Sequence, residues 1–228
     1  MSDTIIIFCD GSSRGNPGPG GWGAIVSMHG KVSELGAAEA HTTNNKVELL
    51  AAIHALRLVG NADKEIAVNT DSAYVVNGMT KWIFGWQKNG WKTVQKDSVS
   101  NRDLWEALIA AAAGKKIKWN RVPGHAGVPG NERCDAIATG FADGVPPALF
   151  RGKSADYPVD LSVLAPANDD PARKSGAAYS YVSMVDGVIE THPTWAECEA
   201  RVKGASGAKF KKARNADEER RIVAAWES

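Results

Sequence analysis

The sequence predicts an α/β protein in which a mixed five-stranded sheet is flanked by helices, with a small α+β module at the C-terminus. Three features lead there. Between residues 4 and 143, short apolar, β-branched runs alternate with stretches of helical period; two of those runs end on an aspartate; and a Pro- and Ala-rich stretch, 145–177, parts this region from a tail where alternation resumes. The predicted organisation is therefore a first unit over 1–144, a flexible linker over 145–177 and a second unit over 178–228.

Ile5-Ile6-Ile7-Phe8-Cys9 is continuously apolar and β-branched, as a central strand buried on both faces must be, and it stops at Asp10. Gly11 to Gly21 holds too much Gly and Pro for the interior of a helix or strand. Residues 21–28 form the second strand, and about 31–39 the third, across a turn at His29-Gly30. From Thr43 the period changes: Val47, Leu50, Ala51, Ile53, His54, Leu56 and Leu58 fit one amphipathic helix, with Thr43 or Asn44 as its N-cap. The run from Glu65 is a fourth strand that ends on a second carboxylate, Asp71. Short helices over 72–79 and 81–88, a longer one over 101–113 and a fifth strand from Ile117 to Val122 follow. The glycine-rich loop 123–130 leads into a last helix over 131–142. In the tail, Tyr179, Tyr181 and Val182 alternate as a strand does, and Trp195–Val202 reads as a helix.

A hydrophobic fraction of 43% and a charged fraction of 23% exclude a disordered chain, and no run approaches the ~20 apolar residues a membrane span needs, so a cytoplasmic, monomeric protein is expected. The net charge of +1 argues by itself against a nucleic-acid partner, but lysines gather around 81–96 and 201–221, so local patches can be positive. Cys9, Cys134 and Cys198 are too few and too scattered for a disulfide framework or a zinc site.

Asp10 and Asp71 end two strands that an α/β sheet of this order makes adjacent and parallel, while Glu48 and Asp135 lie early in helices. Four carboxylates at one place repel one another and take up protons unless a hard divalent cation neutralises them. Their surroundings are specific. Asp10 opens Asp-Gly-Ser-Ser-Arg-Gly-Asn-Pro-Gly-Pro-Gly-Gly-Trp-Gly-Ala, Glu48 closes Thr-Thr-Asn-Asn-Lys-Val-Glu, Asp71 opens Asp-Ser-Ala-Tyr-Val, and Asp135 closes Gly-His-Ala-Gly-Val-Pro-Gly-Asn-Glu-Arg-Cys-Asp.

These four segments, in this order, are similar to the signature of bacterial type 1 ribonuclease H, over residues 4–143. The resemblance implies a ribonuclease H-like fold and two-metal endonucleolytic hydrolysis of the RNA strand of an RNA–DNA hybrid, leaving 5′-phosphate and 3′-hydroxyl ends. It implies Asp10, Glu48, Asp71 and Asp135 as ligands of two Mg²⁺ ions, for which Mn²⁺ can stand in, and His125 as the proton shuttle. Contacts that select RNA through its 2′-hydroxyl fall to the Gly11 backbone, Asn16, Asn44, Asn45 and Glu48, with Thr43 beside a DNA phosphate.

Trp82, Trp86, Lys88, Trp91 and Lys92 stand in a stretch resembling the family's basic handle on the DNA backbone; Trp82 and Trp86, at i and i+4, serve helix packing equally well. Trp105 and Trp119 belong to the core on this reading. The tail is similar to the small hybrid-binding, viroplasmin-like domain, which implies nucleic-acid contacts at Tyr181, Trp195, Phe210, Lys211 and Lys212; packing of Trp195 and Phe210 in a small core is the competing reading. A protein that coats hybrids without cutting them is the rival from another class, and the complete set of acids with His125 weighs against it.

Overall fold

The computed structural model describes residues 4–164, 180–205, 207–213 and 216–227. The apolar run from Ile5 becomes β1 (Ile5–Ser13), which has a partner on each side: antiparallel β2 (Gly18–Met28) and parallel β4 (Glu65–Thr70). β3 (Lys31–Thr42) pairs with β2, and β5 (Lys116–Arg121) runs parallel to β4. Alternate residues of β1 feed two cores. Ile5, Ile7 and Cys9 pack under α1 (Asn44–Val59) and α4 (Arg102–Ala112), whereas Phe8 packs on the opposite side with Cys134 of α5 (Pro129–Ala142). Burial on both faces is why the run shows no polar alternation.

Between β4 and α4 the chain makes one continuous helical excursion: α2 (Ala73–Asn77), a π-helical turn over Gly78–Trp82 and α3 (Ile83–Lys88). Gly78 sits at the start of the π turn because a Cβ there would collide with the ring of Trp105, which is wholly buried. A π turn widens the helix locally and lets that ring seat against backbone. Trp105 is core as expected, and Trp119 is half-buried against the same cluster.

The sheet has six strands, not the five expected. The sixth, β6 (Arg151–Lys153), pairs antiparallel with β3 at the sheet edge, in the order β5-β4-β1-β2-β3-β6. It lies inside the segment expected to be a flexible linker. Residues 145–161 are instead bound to the first unit, with Phe150, Tyr157 and Leu161 packed on the Phe8 core. What holds them is a buried carboxylate. Glu34 accepts from Arg133 Nε and Nη2 at 2.7 and 2.8 Å, from the Phe150 amide at 2.8 Å and from the Tyr157 hydroxyl at 2.7 Å. A buried charge so fully hydrogen-bonded is tolerated where an unpaired one would be costly; accordingly the Glu34 carboxyl stays below the ordinary range although burial opposes this. The remainder of the expected linker, 165–177, and Tyr179 lie outside the described residues.

The second unit is a three-stranded antiparallel sheet in the order β8-β7-β9, formed by β7 (Ser180–Val185), β8 (Val188–His192) and β9 (Lys209–Ala213). α6 (Trp195–Val202) opens on Thr194, whose hydroxyl accepts from the Glu197 amide at 3.3 Å, and α7 (Ala216–Glu227) supplies Ile222 to a small core with Val182 and Ala213. Among the described residues no helix is long and apolar enough to cross a membrane.

Candidate active site

The register of β1 on β4 sets Ile5 against Ile66 and Phe8 against Asn69, so continuation of the two parallel strands brings Asp10 level with Asp71. Gly124 lies against Asp71: a Cβ at that position would overlap the carboxylate, so only glycine lets the loop before α5 pass there. Glu48 comes from the second turn of α1 and Asp135 from α5. All four acids line one open cleft of about 450 Å³, together with Gly11, Asn44, Asn45 and His125. Eight of the residues expected at the site are thus gathered in one place.

Each carboxylate is gripped by a neutral donor from its surroundings. Asp10 Oδ1 accepts from the Gly11 amide at 2.7 Å. Glu48 is held at both oxygens, by Asn44 Nδ2 at 2.8 Å and by the Ser72 hydroxyl. Asn131 Nδ2 donates to Asp71 at 3.3 Å, and Thr139 Oγ1 to Asp135 at 3.5 Å. His125, on an exposed loop with φ of 49°, places Nδ1 3.8 Å from Asp135 Oδ2.

Burial, then the charge of Asp71, pushes the Asp10 carboxyl up to about 8, and burial pushes Glu48 up to about 7 against the opposing hydrogen bond from Ser72. A divalent cation favours the ionised carboxylates that burial and the neighbouring charge oppose. Among the described residues, no three Asp, Glu, His or Cys side chains are drawn tightly enough to hold a metal ion as they stand. The donor set itself fits a hard cation: every candidate ligand is a carboxylate oxygen, and the buried Oδ1 of Asn131, beside Asp71, has no hydrogen-bond partner.

Other expected residues stand off the cleft. Asn16 Oδ1 accepts from the Asn44 amide at 3.3 Å, and Thr43 precedes α1 as its N-cap without a side-chain cap bond. Trp82, Trp86 and Trp91 form an aromatic cluster with Trp105 and with Tyr74, a cleft residue, neighbouring ring centroids lying 5.0 to 6.3 Å apart. The rings of Trp82 and Trp86 pack on one another, while Trp82 stays 37% exposed. Lys88 and Lys92 are exposed on the same excursion.

The sequence motifs give Ser72, Asn131 and Thr139 no role in holding the acids. Ser72 carries a local signal: it follows Asp71, opens α2 and accepts from the Val75 amide at 3.1 Å, as a serine N-cap does. Asn131 carries none, because its partner Asp71 is 60 residues away; Thr139 stands one helical turn after Asp135 on α5, an i, i+4 spacing that is a local signal.

In the second unit, Tyr181, Trp195 and Phe210 cluster, with centroids 5.5 and 5.1 Å apart, and Trp195 and Phe210 remain 37% and 55% exposed. The two rings are thus packed on one another and partly open to solvent. Lys212 pairs with Tyr181, and Phe210 with Ser183, so they share this face; Lys211, opposite Val182, falls on the other face with Arg221 and Trp226. Strand alternation thus divides a lysine pair that the sequence presents as adjacent.

A family model described as RNase H matches residues 2–142, and one described as Ribonuclease H1 N-terminal domain matches residues 192–218. The ribonuclease H of Mesorhizobium japonicum is 54% identical over 141 residues, covering 60% of this chain and 77% of that protein. The ribonuclease H of a Ruegeria species is 51% identical over 156 residues, 66% of this chain and 97% of that protein. Among solved structures the chain is similar to LC9-RNase H1, described as a type 1 RNase H with the type 2 active-site motif, at a TM-score of 0.58 and 29% identity over 67% of this chain and 79% of that one.

Proposed function

We propose the following activity on the premise that this chain belongs to the ribonuclease H family: it is an endoribonuclease that hydrolyses the RNA strand of an RNA–DNA hybrid. The single observation that carries the reading is the convergence of Asp10, Glu48, Asp71 and Asp135, from four separate elements, on one cleft. Those four would hold Mg²⁺, or Mn²⁺ in its place. When bound, the ions supply a nucleophilic water at neutral pH and charge neutralisation of the phosphate, the usual division of labour in two-metal phosphoryl chemistry.

The protein's own part is orientation and proton handling. Asn44 and Ser72 hold the two oxygens of Glu48 in one rotamer, and Asn131 and Thr139 do the same for Asp71 and Asp135. His125, exposed and 3.8 Å from Asp135, is placed to take a proton to or from solvent at its imidazole as water attacks and product leaves. Asn16, Asn44, Asn45 and the Gly11 amide line or border the cleft and offer the donors and acceptors that distinguish a 2′-hydroxyl from hydrogen.

The aromatic face of the second unit adds grip on the hybrid: Trp195 and Phe210 present rings for stacking beside Lys212, a sequence-tolerant mode of nucleic-acid binding. Tethering raises the local concentration of substrate at the cleft without altering it. One chain carries the whole acid set, so a monomer suffices, working in the cytoplasm.

The test is cleavage of end-labelled hybrid, RNA duplex and DNA duplex, with Mg²⁺ and with chelator. The reading requires cutting of the hybrid's RNA strand only, abolished by chelator. Cutting of the DNA strand, or none in Mg²⁺ or Mn²⁺, would refute it.

A further inference from the structure

The edge of the first unit's sheet carries a cluster of cations with no role in the chemistry above. β6 pairs with β3 so that Lys153 lies opposite Lys31 and Arg151 opposite Ser33. Residues directly opposite share a face, so Lys31, Ser33, Arg151 and Lys153 project together, while the alternating Val32 and Glu34 turn to the α5 side, where Val32 packs with Cys134 and Glu34 bonds Arg133. The four line a shallow groove of about 360 Å³ completed by Val32 and Gly152.

Like charges facing one another across a ladder are unfavourable. Three arginines of the first unit are answered by acids, in the pairs Arg14–Asp143, Arg102–Glu106 and Arg133–Glu34. Lys31, Arg151 and Lys153 have no such acid among the described residues; Asp156, in the turn just beyond, makes no ion pair with them. The strands that carry them are nonetheless tied together by hydrogen bonds. Glu34 and Phe150 exchange hydrogen bonds through the Glu34 amide at 2.8 Å and the Glu34 carboxylate, and the Ser154 amide donates to Gly30 at 2.9 Å. Three cations without an acid partner among the described residues, grouped around the Ser33 hydroxyl, are suited to phosphate oxygens.

The position selects the ligand. Asp10 is level with Gly23 and Gly23 with Gly36, which puts Lys31 five residues farther along β3, roughly 20 Å from the acids at ordinary strand spacings. It lies toward the opposite end of the strands. A duplex seated on the acids is stiff over that length and does not fold round the sheet, whereas a single strand does. We propose that this groove binds the phosphodiester backbone of a single-stranded stretch flanking the hybrid. The occupant rests on the reading that the cleft takes a hybrid, and the test keeps the two apart. Lysines on an edge strand also discourage sheet-to-sheet pairing, a role that involves no nucleic acid.

The experiment compares the full chain with K31Q/R151Q/K153Q, in chelator, by fluorescence anisotropy against a blunt hybrid and the same hybrid with a single-stranded DNA overhang of about 15 nucleotides, across a salt series. In the unmodified protein the overhang should tighten binding about tenfold at low salt and steepen the log–log salt slope by about two, as three phosphate contacts to a single strand require. The triple variant should bind blunt hybrid equally well and lose that gain. K31R/K153R should retain it, which separates charge from misfolding. An overhang that adds nothing to the unmodified protein, or adds equally to the triple variant, overturns the proposal. Failure of both proteins to bind blunt hybrid contradicts the hybrid-cutting reading instead.

Discussion

Replacing Asp10 by Asn removes a charge that the folded protein holds at a disadvantage. Burial and the charge of Asp71 raise this carboxyl from an ordinary 3.8 to about 8. Between those values the folded state keeps a proton that the unfolded chain has released, so unfolding free energy falls as pH rises, by about 1.4 kcal/mol per unit for one proton. From pH 5 to pH 8 the upper bound is about 4 kcal/mol; counter-ions and side-chain relaxation reduce this to about 2 kcal/mol. Glu48, raised to about 7, acts in the same direction. Asp10→Asn is therefore expected to match the unmodified protein at pH 5 and exceed it at pH 8, in chelator, by about 2 kcal/mol, or about 4–8 °C in Tm. Mg²⁺ should raise the Tm of the unmodified protein at pH 8 and leave the variant nearly unchanged. Circular-dichroism melts at the two pH values, with and without Mg²⁺, measure this, alongside loss of hybrid cleavage. A variant whose Tm at pH 8 equals or falls below that of the unmodified protein would refute the electrostatic argument.

Three further outcomes are expected. Tyr157→Phe deletes one of the hydrogen bonds to buried Glu34 and should cost about 1–3 kcal/mol in urea denaturation; correspondingly, a chain ending after Leu164 should fold and cut hybrid, whereas one ending after Val145, stripped of Phe150 and Tyr157, should unfold at lower denaturant. Ser72→Ala frees one oxygen of Glu48 and should weaken Mg²⁺ binding about 10–100-fold by calorimetry, with Ser72→Thr restoring most of it; unaltered affinity would show that Ser72 serves α2 alone. Trp195→Ala should weaken hybrid binding by about 1–3 kcal/mol in anisotropy, and an unchanged binding curve would remove the second unit's role.

The first unit was legible because its signals are local. A β-branched run that stops at Asp10, a period change at Thr43 and a run from Glu65 that stops at Asp71 each stand within a few residues, and parallel pairing then sets the two aspartates level. β6 was not legible. Three residues, Arg151–Lys153, show no alternation, and what makes them a strand is Glu34, more than a hundred residues earlier in the chain. β8 and β9 escaped for a related reason: burial patterns such as that of Lys209–Ala213, exposed at all but one position, belong to edge strands with little core to mark them. At the site, the acids could be read from their flanking motifs. Of the donors that fix them, Asn44 and the Gly11 amide lie within those motifs, whereas Asn131 meets Asp71, 60 residues away, only in the folded chain.

The account depends on four carboxylates sharing the same cations. Its most direct test is calorimetric titration of Mg²⁺ into the full chain and into Asp10→Asn, Glu48→Gln, Asp71→Asn and Asp135→Asn, each in two buffers of different ionisation enthalpy. Binding by the unmodified protein at pH 7 should release protons, since Asp10 and Glu48 must ionise to ligate, and each substitution should weaken it at least about tenfold. Full-affinity binding in any one of the four variants, or binding that releases no proton, would contradict a shared site.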